Sequence, residues 1–522
     1  MSHTGIETEE RQPDERRNSR TTRLLNLVER AGNALPHPFW LFWILSALVA
    51  LVSWALAMSG IEVKSPADGS MIGVRNALSA QAVQDLIGGA QDSFVTFGPL
   101  GPVLMVMLGV AVAEQSGLFE ALARRTLANV SPRTVVLGVA LGGVLGKFMS
   151  DSAYIVLIPL GAMAFRAVGR SPMLGMIVAF VSINAAGDAN PLIAPGDALY
   201  AAVATEAAQL VDPSVVVRAT DNMYFTTVSA LVLAGTITLV VEKVSARREH
   251  LLVPDEDLVG PGQAGAVSET APRTETRALR ITGLVALGYS ALLVLAMLPT
   301  GSPLRGKGGA IVESTLLDSI AVFLTVFFLL VGSAYGLVTG RITSSRSVPE
   351  FMAAGVRSIA PLLVLFFAVS QFLALFKWTG ISTVLAVGGA DLLRQIGAPT
   401  LVLFAVLIAA IAAMNLLITS GSALWALAAP ALVPMLMLLG TNPATTMALY
   451  RIADSCTNAI TPMSTSFMLC VGYLQTQSRR AGIGTLVSFT LPIAMVMLVV
   501  WVVLFFAWYA LGIPLGPGAP VR

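Results

Sequence analysis

Four polar breaks interrupt the apolar stretches of this 522-residue chain. They read Lys147-Phe-Met-Ser150-Asp151-Ser152, Asn184-Ala-Ala-Gly187-Asp188-Ala-Asn190-Pro191, Asn415-Leu-Leu-Ile-Thr419-Ser420-Gly421-Ser422, which ends at Trp425, and Arg451-Ile-Ala-Asp454-Ser-Cys-Thr-Asn458-Ala-Ile-Thr-Pro462. At membrane depth an unsatisfied backbone polar group is tolerated only where it is buried in protein or lines a cavity. Such breaks therefore mark binding sites.

Asp454 carries the most information. An ionised carboxylate inside a membrane is costly unless a cation offsets it. Asn415, Asn458 and unwound carbonyls could complete the all-oxygen shell that hard cations prefer, so one reading is a Na⁺ site or a proton-carrying acid. The other is a structural pair with Arg451, three residues earlier on the same helix face. Arg451 itself could grip a substrate carboxylate bidentately or serve only as that partner. Asp151, Asp188 and Asp197 could face a second ion site or cap a polar cavity. Trp425 and Tyr154 could stack on an aromatic substrate or pack the segments that carry them.

The elements that position these residues are membrane spans, each needing about 20 apolar residues. Nine are expected, at roughly 39–59, 94–115, 172–208, 223–243, 281–298, 317–339, 359–378, 443–476 and 484–511. Those at 172–208 and 443–476 are over-long and contain polar, Gly and Pro breaks. Two more apolar pairs, 133–168 and 398–440, have halves too short to cross and read as re-entrant hairpins. The fold class is thus an all-α polytopic membrane protein. Its parts are a tail at 1–35, a first half at 36–243, a linker at 244–280 rich in Pro, Gly, Ser and charge, a second half at 281–515 and a tail at 516–522.

Cytoplasmic loops carry an excess of Lys and Arg. Arg11, Arg16, Arg17, Arg20, Arg23 and Arg30 place the N-terminus inside, and Arg124, Arg125, Arg133, Arg166, Arg170, Arg247, Arg248, Arg341, Arg346, Arg479 and Arg480 all agree with that parity. The C-terminus then lies outside, and the linker is a mobile cytoplasmic loop. A repeat supports the layout. Tyr154, Pro159, Gly169, Pro172 and Pro191 recur as Trp425, Pro430, Gly440, Pro443 and Pro462, every pair 271 residues apart. Pro99 and Gly117 are echoed by Pro361 and Gly380. Parity makes the two copies opposite in orientation, and inverted repeats with broken helices near the midplane characterise secondary transporters.

Composition closes off other classes. Hydrophobic residues make up 55% and charged residues 12%, with mean hydropathy +0.78, which excludes a soluble globular enzyme and a disordered chain. Of the 62 charged residues, 25 lie in 1–30 and 242–280. Net charge is +2, so no polyanion or nucleic acid is implied as partner. His3, His37 and His250 lie outside the long apolar runs, and Cys456 and Cys470 give no metal-ligand spacing. No P-loop is present, so direct ATP drive is not expected. Asp188 and Asp197 invite an intramembrane aspartyl protease, but the Gly-x-Gly-Asp pattern is absent because Ala occupies 185 and 194. A passive channel is a further rival.

Leu35-Pro-His-Pro38, Asn415-Leu-Leu-Ile with Ser420-Gly-Ser-Ala-Leu-Trp425, Val433-Pro-Met-Leu-Met, Tyr450-Arg-Ile-Ala-Asp454-Ser-Cys-Thr-Asn458-Ala-Ile-Thr-Pro462 and Gly512-Ile-Pro-Leu-Gly-Pro-Gly-Ala-Pro520 resemble the AbgT transporter family from about residue 24 onward. The resemblance implies a homodimer with nine transmembrane helices and two re-entrant hairpins in a bacterial inner membrane. It also implies cation-coupled transport of p-aminobenzoyl-glutamate or efflux of sulfonamide antimetabolites. Ser422, Trp425, Pro443, Arg451, Asp454, Pro462 and Asp197 would be functional, and Asn415, Asp454 and Asn458 would hold the coupling cation. Thr419, Asp151, Asp188 and Pro191 after Asn190 depart from the family pattern, and Ser150, Asp151 and Asn190 join the candidate substrate or coupling residues. Na⁺ or H⁺ is the coupling ion and no cofactor is expected. The favoured direction is export; the alternative is Na⁺-driven import of aminobenzoyl-glutamate or another dicarboxylate.

Overall fold

A computed structural model describes residues 36–60, 62–64, 70–127, 131–149, 152–255 and 272–522. The Arg-rich stretch 1–35, Ser150 and Asp151 lie outside the described residues. The chain is nearly all helix, 74% against 2% strand. The strand residues form one antiparallel ribbon, β1 (Glu62–Lys64) with β2 (Met71–Gly73).

Helices in chain order are α1 (Pro38–Met58), α2 (Leu100–Gln115), α3 (Leu118–Leu127), α4 (Val135–Gly146), α5 (Ser152–Ala167), α6 (Pro172–Ala185), α7 (Pro195–Ala208), α8 (Met223–Val240) and α9 (Pro272–Met297). There follow α10 (Ile320–Thr339), α11 (Ala360–Trp378), α12 (Ile381–Ile396), α13 (Thr400–Asn415), α14 (Gly421–Met437), α15 (Pro443–Asn458), α16 (Thr465–Gln475) and α17 (Ile483–Leu511). Shorter helices cover Ala80–Gly88, Ala90–Val95 and Ser347–Ser358.

Among the described residues, six helical stretches are long and apolar enough to cross a membrane: α1, α8 extended to Leu251, α9, α10, α11 and α17. The other three expected spans are not continuous. α2 and α3 form a pair bent by 64°. The stretch 172–208 divides into α6 and α7, and 443–476 into α15 and α16, each around its Pro-containing break.

Landmarks of the repeat take equivalent structural roles. Gly169 and Gly440 have φ of 76° and 81°, a left-handed conformation that glycine alone adopts without strain, and each precedes a helix with Pro at its start. Pro159 lies inside α5 and Pro430 inside α14. The helices α4 and α5 are joined through 147–151, and α13 and α14 through 416–420.

Several charged side chains join separate helices. Arg124 pairs with Glu120 at 2.5 Å and Glu275 at 3.2 Å, Arg170 pairs with Glu242 at 2.6 Å, and Arg166 donates to Gln477 at 2.9 Å. The C-terminal tail docks at another place, where the backbone N–H of Tyr224 donates to Leu515 O at 2.9 Å and the Thr445 hydroxyl to Val521 O at 2.8 Å.

The linker differs from the expected loop. Helix continues through Leu251, and α9 begins at Pro272 rather than near 281. Glu249 accepts from the backbone N–H of Ser171 at 2.6 Å, and Asp255 from that of Arg479 at 2.8 Å. Its two flanks are therefore pinned helices whose charge density reads as loop in the sequence; 256–271 lie outside the described residues.

Candidate functional site

The breaks converge on one buried cluster. Asp197 stands in the first turn of α7, where its Oδ2 accepts from the backbone N–H of Ala194 at 2.6 Å. Its Oδ1 receives the Arg451 Nη1 at 2.6 Å, so α7 of the first half and α15 of the second are joined by an ion pair. Arg451 is 2% exposed, and its guanidinium carbon lies 5.0 Å from the ring centre of Tyr200, one helical turn beyond Asp197. Its Nε and Nη2 have no hydrogen-bond partner among the described residues. Those two nitrogens form one edge of the planar fork, the geometry that takes a carboxylate bidentately. Leaving them unpaired costs free energy that a bound anion would recover. Arg451 lines a cavity of about 210 Å³ together with Lys147, Tyr154, Asp188, Asn190, Asp197 and Tyr200.

Asp454 does not pair with Arg451. Its Oδ1 accepts from the Tyr450 hydroxyl at 3.2 Å and its Oδ2 from Asn458 Nδ2 at 3.5 Å. Gly421, first in α14, has no side chain because a Cβ there would sit 2.7 Å from Asp454 Oδ2. Asn415 ends α13 and donates from Nδ2 to Asp454 O at 2.5 Å and to Thr457 Oγ1 at 2.7 Å. The Oδ1 atoms of Asn415 and Asn458 lack partners. Two orphaned amide oxygens beside a buried carboxylate are a donor set suited to a hard cation such as Na⁺, so the residues present fit a coupling ion. Among the described residues, no three His, Cys, Asp or Glu side chains are grouped so as to hold a metal ion.

The remaining candidates separate. Ser422 lines a second cavity of about 190 Å³ with Val103, Met107, Leu199, Tyr200 and Leu362, and its hydroxyl lies 3.3 Å from that of Ser420. Trp425 is fully buried; its Nε1 donates to Tyr200 O at 2.9 Å and its ring lies 4.6 Å from that of Tyr450. It is a packing residue behind the cavities, because no face of the indole is open to a ligand here. Pro443 starts α15 two turns before Arg451, away from the cluster. Pro462 follows Thr461, whose hydroxyl ties the break to Leu416 O at 3.1 Å. Asn190 lines the Arg451 cavity, with its Nδ2 unpartnered. Tyr154 donates to Asn184 Oδ1 at 3.0 Å. An aspartyl-protease pair is inconsistent with this geometry: Asp197 is neutralised by Arg451, whereas such a dyad must share one proton between two acids.

Sequence reasoning missed Tyr200, and it named Lys147 and Tyr450 only within longer motifs, without a role. Tyr200 carried a signal, since it stands three residues after Asp197 on one helix face. Tyr450 stands four before Asp454.

The model described as the AbgT putative transporter family matches residues 23–522. A p-aminobenzoyl-glutamate transport protein of Escherichia coli (strain K12) is 33% identical over 503 residues, 96% of this chain and 97% of that protein. The crystal structure of the Alcanivorax borkumensis YdaH transporter superposes with a TM-score of 0.86 at 35% identity, over 92% of this chain and all of that one. Neisseria gonorrhoeae MtrF, described as illuminating a class of antimetabolite efflux pumps, matches with a TM-score of 0.86 at 36% identity, over 95% and 100%.

Proposed function

This chain belongs to the AbgT transporter family, and on that premise we propose that it is a cation-coupled exporter of sulfonamide-type antimetabolites or p-aminobenzoyl-glutamate-like compounds. The observation that carries this reading is the half-satisfied Arg451. Its pair with Asp197 ties the two halves together at the cavity, and its free edge suits a carboxylate or another anionic acceptor on the substrate. Tyr200 and Tyr154 supply aromatic faces in the same cavity for an aminophenyl ring. Asp454 with Asn415 and Asn458 binds Na⁺, or Asp454 carries H⁺; α15 bears both Asp454 and Arg451, so cation and substrate act on one element.

Transport runs by alternating access, with α4–α5 and α13–α14 as re-entrant gates of opposite orientation. The protein is a homodimer in the bacterial inner membrane, with its N-terminus inside and its C-terminus outside. Export is favoured over import by the likeness to MtrF. Cells producing the chain are expected to accumulate less labelled sulfonamide than cells without it, and Asp454→Ala to abolish the difference. Equal accumulation rejects export, and sodium-dependent uptake of p-aminobenzoyl-glutamate into proteoliposomes reverses its direction.

A further inference from the structure

A third cavity, about 360 Å³, is larger than either of those above. Three helices, α7, α11 and α14, wall both it and the Ser422 cavity. α7 contributes Leu199 and Tyr200 to the Ser422 cavity and Val203, Glu206 and Ala207 to the large one; α14 contributes Ser422 and then Pro430. α11 contributes Leu362 and then Leu373 and Lys377, while α2, with Val103, begins just after Phe97 of the large cavity. At about 1.5 Å rise per residue, the shared helices step roughly 5–22 Å between the two. The Ser422 cavity in turn shares Pro195, Gly196 and Tyr200 with the Arg451 cavity. The Arg451 and Ser422 cavities therefore meet at the first turns of α7, and the large cavity lies further along the same helix.

The large cavity has the chemistry of a site rather than of a void. Phe97, Leu210, Leu373 and Phe376 give it apolar walls. Glu206 is held at one side, where its Oε1 accepts from the backbone N–H of Gly98 at 2.6 Å. Lys377 supplies an ammonium at the end of α11. Ser382 lines the space, is 1% exposed, and its hydroxyl has no partner among the described residues. An acid, a base and an orphaned hydroxyl around apolar walls suit an amphoteric aryl compound, with an aryl amine N–H on Glu206 and a carboxylate on Lys377.

We propose that this cavity is a second substrate subsite, a relay station for carboxylate-bearing aryl amines beyond the Arg451 cavity. The proposal rests on the transport reading above, and the test keeps the two apart. Both native cysteines are buried, at 1% and 0% exposure, so a single introduced thiol reports cleanly. Ala374→Cys lines the cavity. The rate of its maleimide labelling is measured in the full-length protein in nanodiscs, with p-aminobenzoyl-glutamate as probe, in the parent and Arg451→Ala backgrounds. Occupancy at ten times Kd should slow labelling about tenfold, by mass action, in both backgrounds. Adding Glu206→Gln should demand about tenfold more probe, the equivalent of about 1.4 kcal/mol.

Protection that vanishes with Arg451→Ala overturns the subsite, because it then reports occupancy elsewhere. No protection in a protein that exports the probe overturns the subsite and leaves the transport reading standing. No protection and no export overturns both.

Discussion

The helices α6 and α15 begin alike and end unlike. Each follows a left-handed glycine, starts with proline and stops at a break that contains a second proline. Inside this shared frame, α6 buries Met, Leu, Ile, Val and Phe, with Ser182 and Asn184 its polar members. α15 buries Thr445, Thr446, Tyr450, Arg451, Asp454, Ser455 and Thr457. At the 271-residue offset, Phe180 is the counterpart of Arg451, Ile183 of Asp454 and Gly187 of Asn458. One copy became a packing helix and the other a chemical one. The first copy's polar groups lie past its break, at Asp188, Asn190 and Asp197, where they meet Arg451 from the other half. The difference extends to how each helix is held. α5 and α6 touch backbone to backbone, since a Cβ on Gly175 would stand 2.3 Å from Gly161 O. The equivalent residues on α14 and α15 are Leu432 and Thr446. Close backbone approach through small residues is how helices associate tightly in membranes.

The division of labour breaks first at Arg451. Arg451→Ala leaves Asp197 buried without its cation, a change worth about 3–5 kcal/mol in a buried pair. Efflux of labelled sulfonamide, normalised to protein in the membrane, is expected to fall by about two orders of magnitude, because the variant also loses the guanidinium edge proposed to hold the substrate, worth about 2–3 kcal/mol for charge-assisted hydrogen bonds. Arg451→Lys should rescue little, because a point charge cannot replace the planar fork. Phe180→Ala, its counterpart, should lower thermal stability while the protein that folds still exports. Equal transport loss at the two positions would refute the contrast.

Asp454→Asn tests the same asymmetry at the cation. The amide keeps the shape and can still accept from Tyr450, but it removes the charge that, on the proposed function, would attract Na⁺ or carry H⁺. Efflux should fall about tenfold, the worth of about 1.4 kcal/mol, and what remains should no longer respond to the Na⁺ or pH gradient. Ile183→Asn, at the equivalent place on α6, should leave the gradient dependence intact. Flux measured with imposed gradients decides between these outcomes, and a retained gradient response in Asp454→Asn removes Asp454 from coupling.

A third test bears on packing. Gly175→Ala forces a methyl into the Gly161 backbone and should destabilise by about 3 kcal/mol, at the upper end for overpacking. Thr446→Ala on α15 removes a hydroxyl that has no partner and should change stability by less than about 1 kcal/mol. Thermal unfolding in detergent measures both.

Much of this architecture was legible in the sequence, and the reason is local. Proline, glycine and polar breaks act on their immediate neighbours, so the interruptions of 172–208 and 443–476 and the repeat landmarks could be read from spacing alone. Partners across the two halves could not. Arg451 and Asp454 are three residues apart, and a pair between them is one of the two readings open in the sequence; the fold instead turns Arg451 toward Asp197 and gives Asp454 to Tyr450 and Asn458. Stacking and packing are both open in the sequence for Trp425, because exposure is a tertiary property; the fold buries it against Tyr200 and Tyr450. The charged ends of the linker read as loop because a helix that outruns the bilayer takes on the composition of water-facing chain.

The smallest expected effect on transport lies at the edge of the first copy, in the loop 209–222 that follows α7. Asp221 is 6% exposed, and burial pushes its carboxyl up to about 6 from the ordinary 3.8, although the backbone N–H of Arg218 donates to its Oδ2 at 2.9 Å. A raised carboxyl means that the folded chain holds its proton more tightly than the unfolded chain. Stability therefore declines as pH rises from about 4 to about 6, where the unfolded chain has already ionised and the folded chain must ionise against burial. Below that window both states are protonated, and above it the deficit is constant. A displacement of about two pH units corresponds to about 2 kcal/mol once the burial is discounted for local opening. Asp221→Asn removes the titration and keeps an acceptor for Arg218. The difference in unfolding midpoint between variant and parent should be near zero at pH 4, grow in the variant's favour to pH 6 and then level off. Efflux should be unchanged, because Asp221 lines none of the three cavities along α7. A pH-independent difference would show that Asp221 is already ionised at no cost. A loss of efflux would move this loop into the machinery and make the first copy more than a frame for the second.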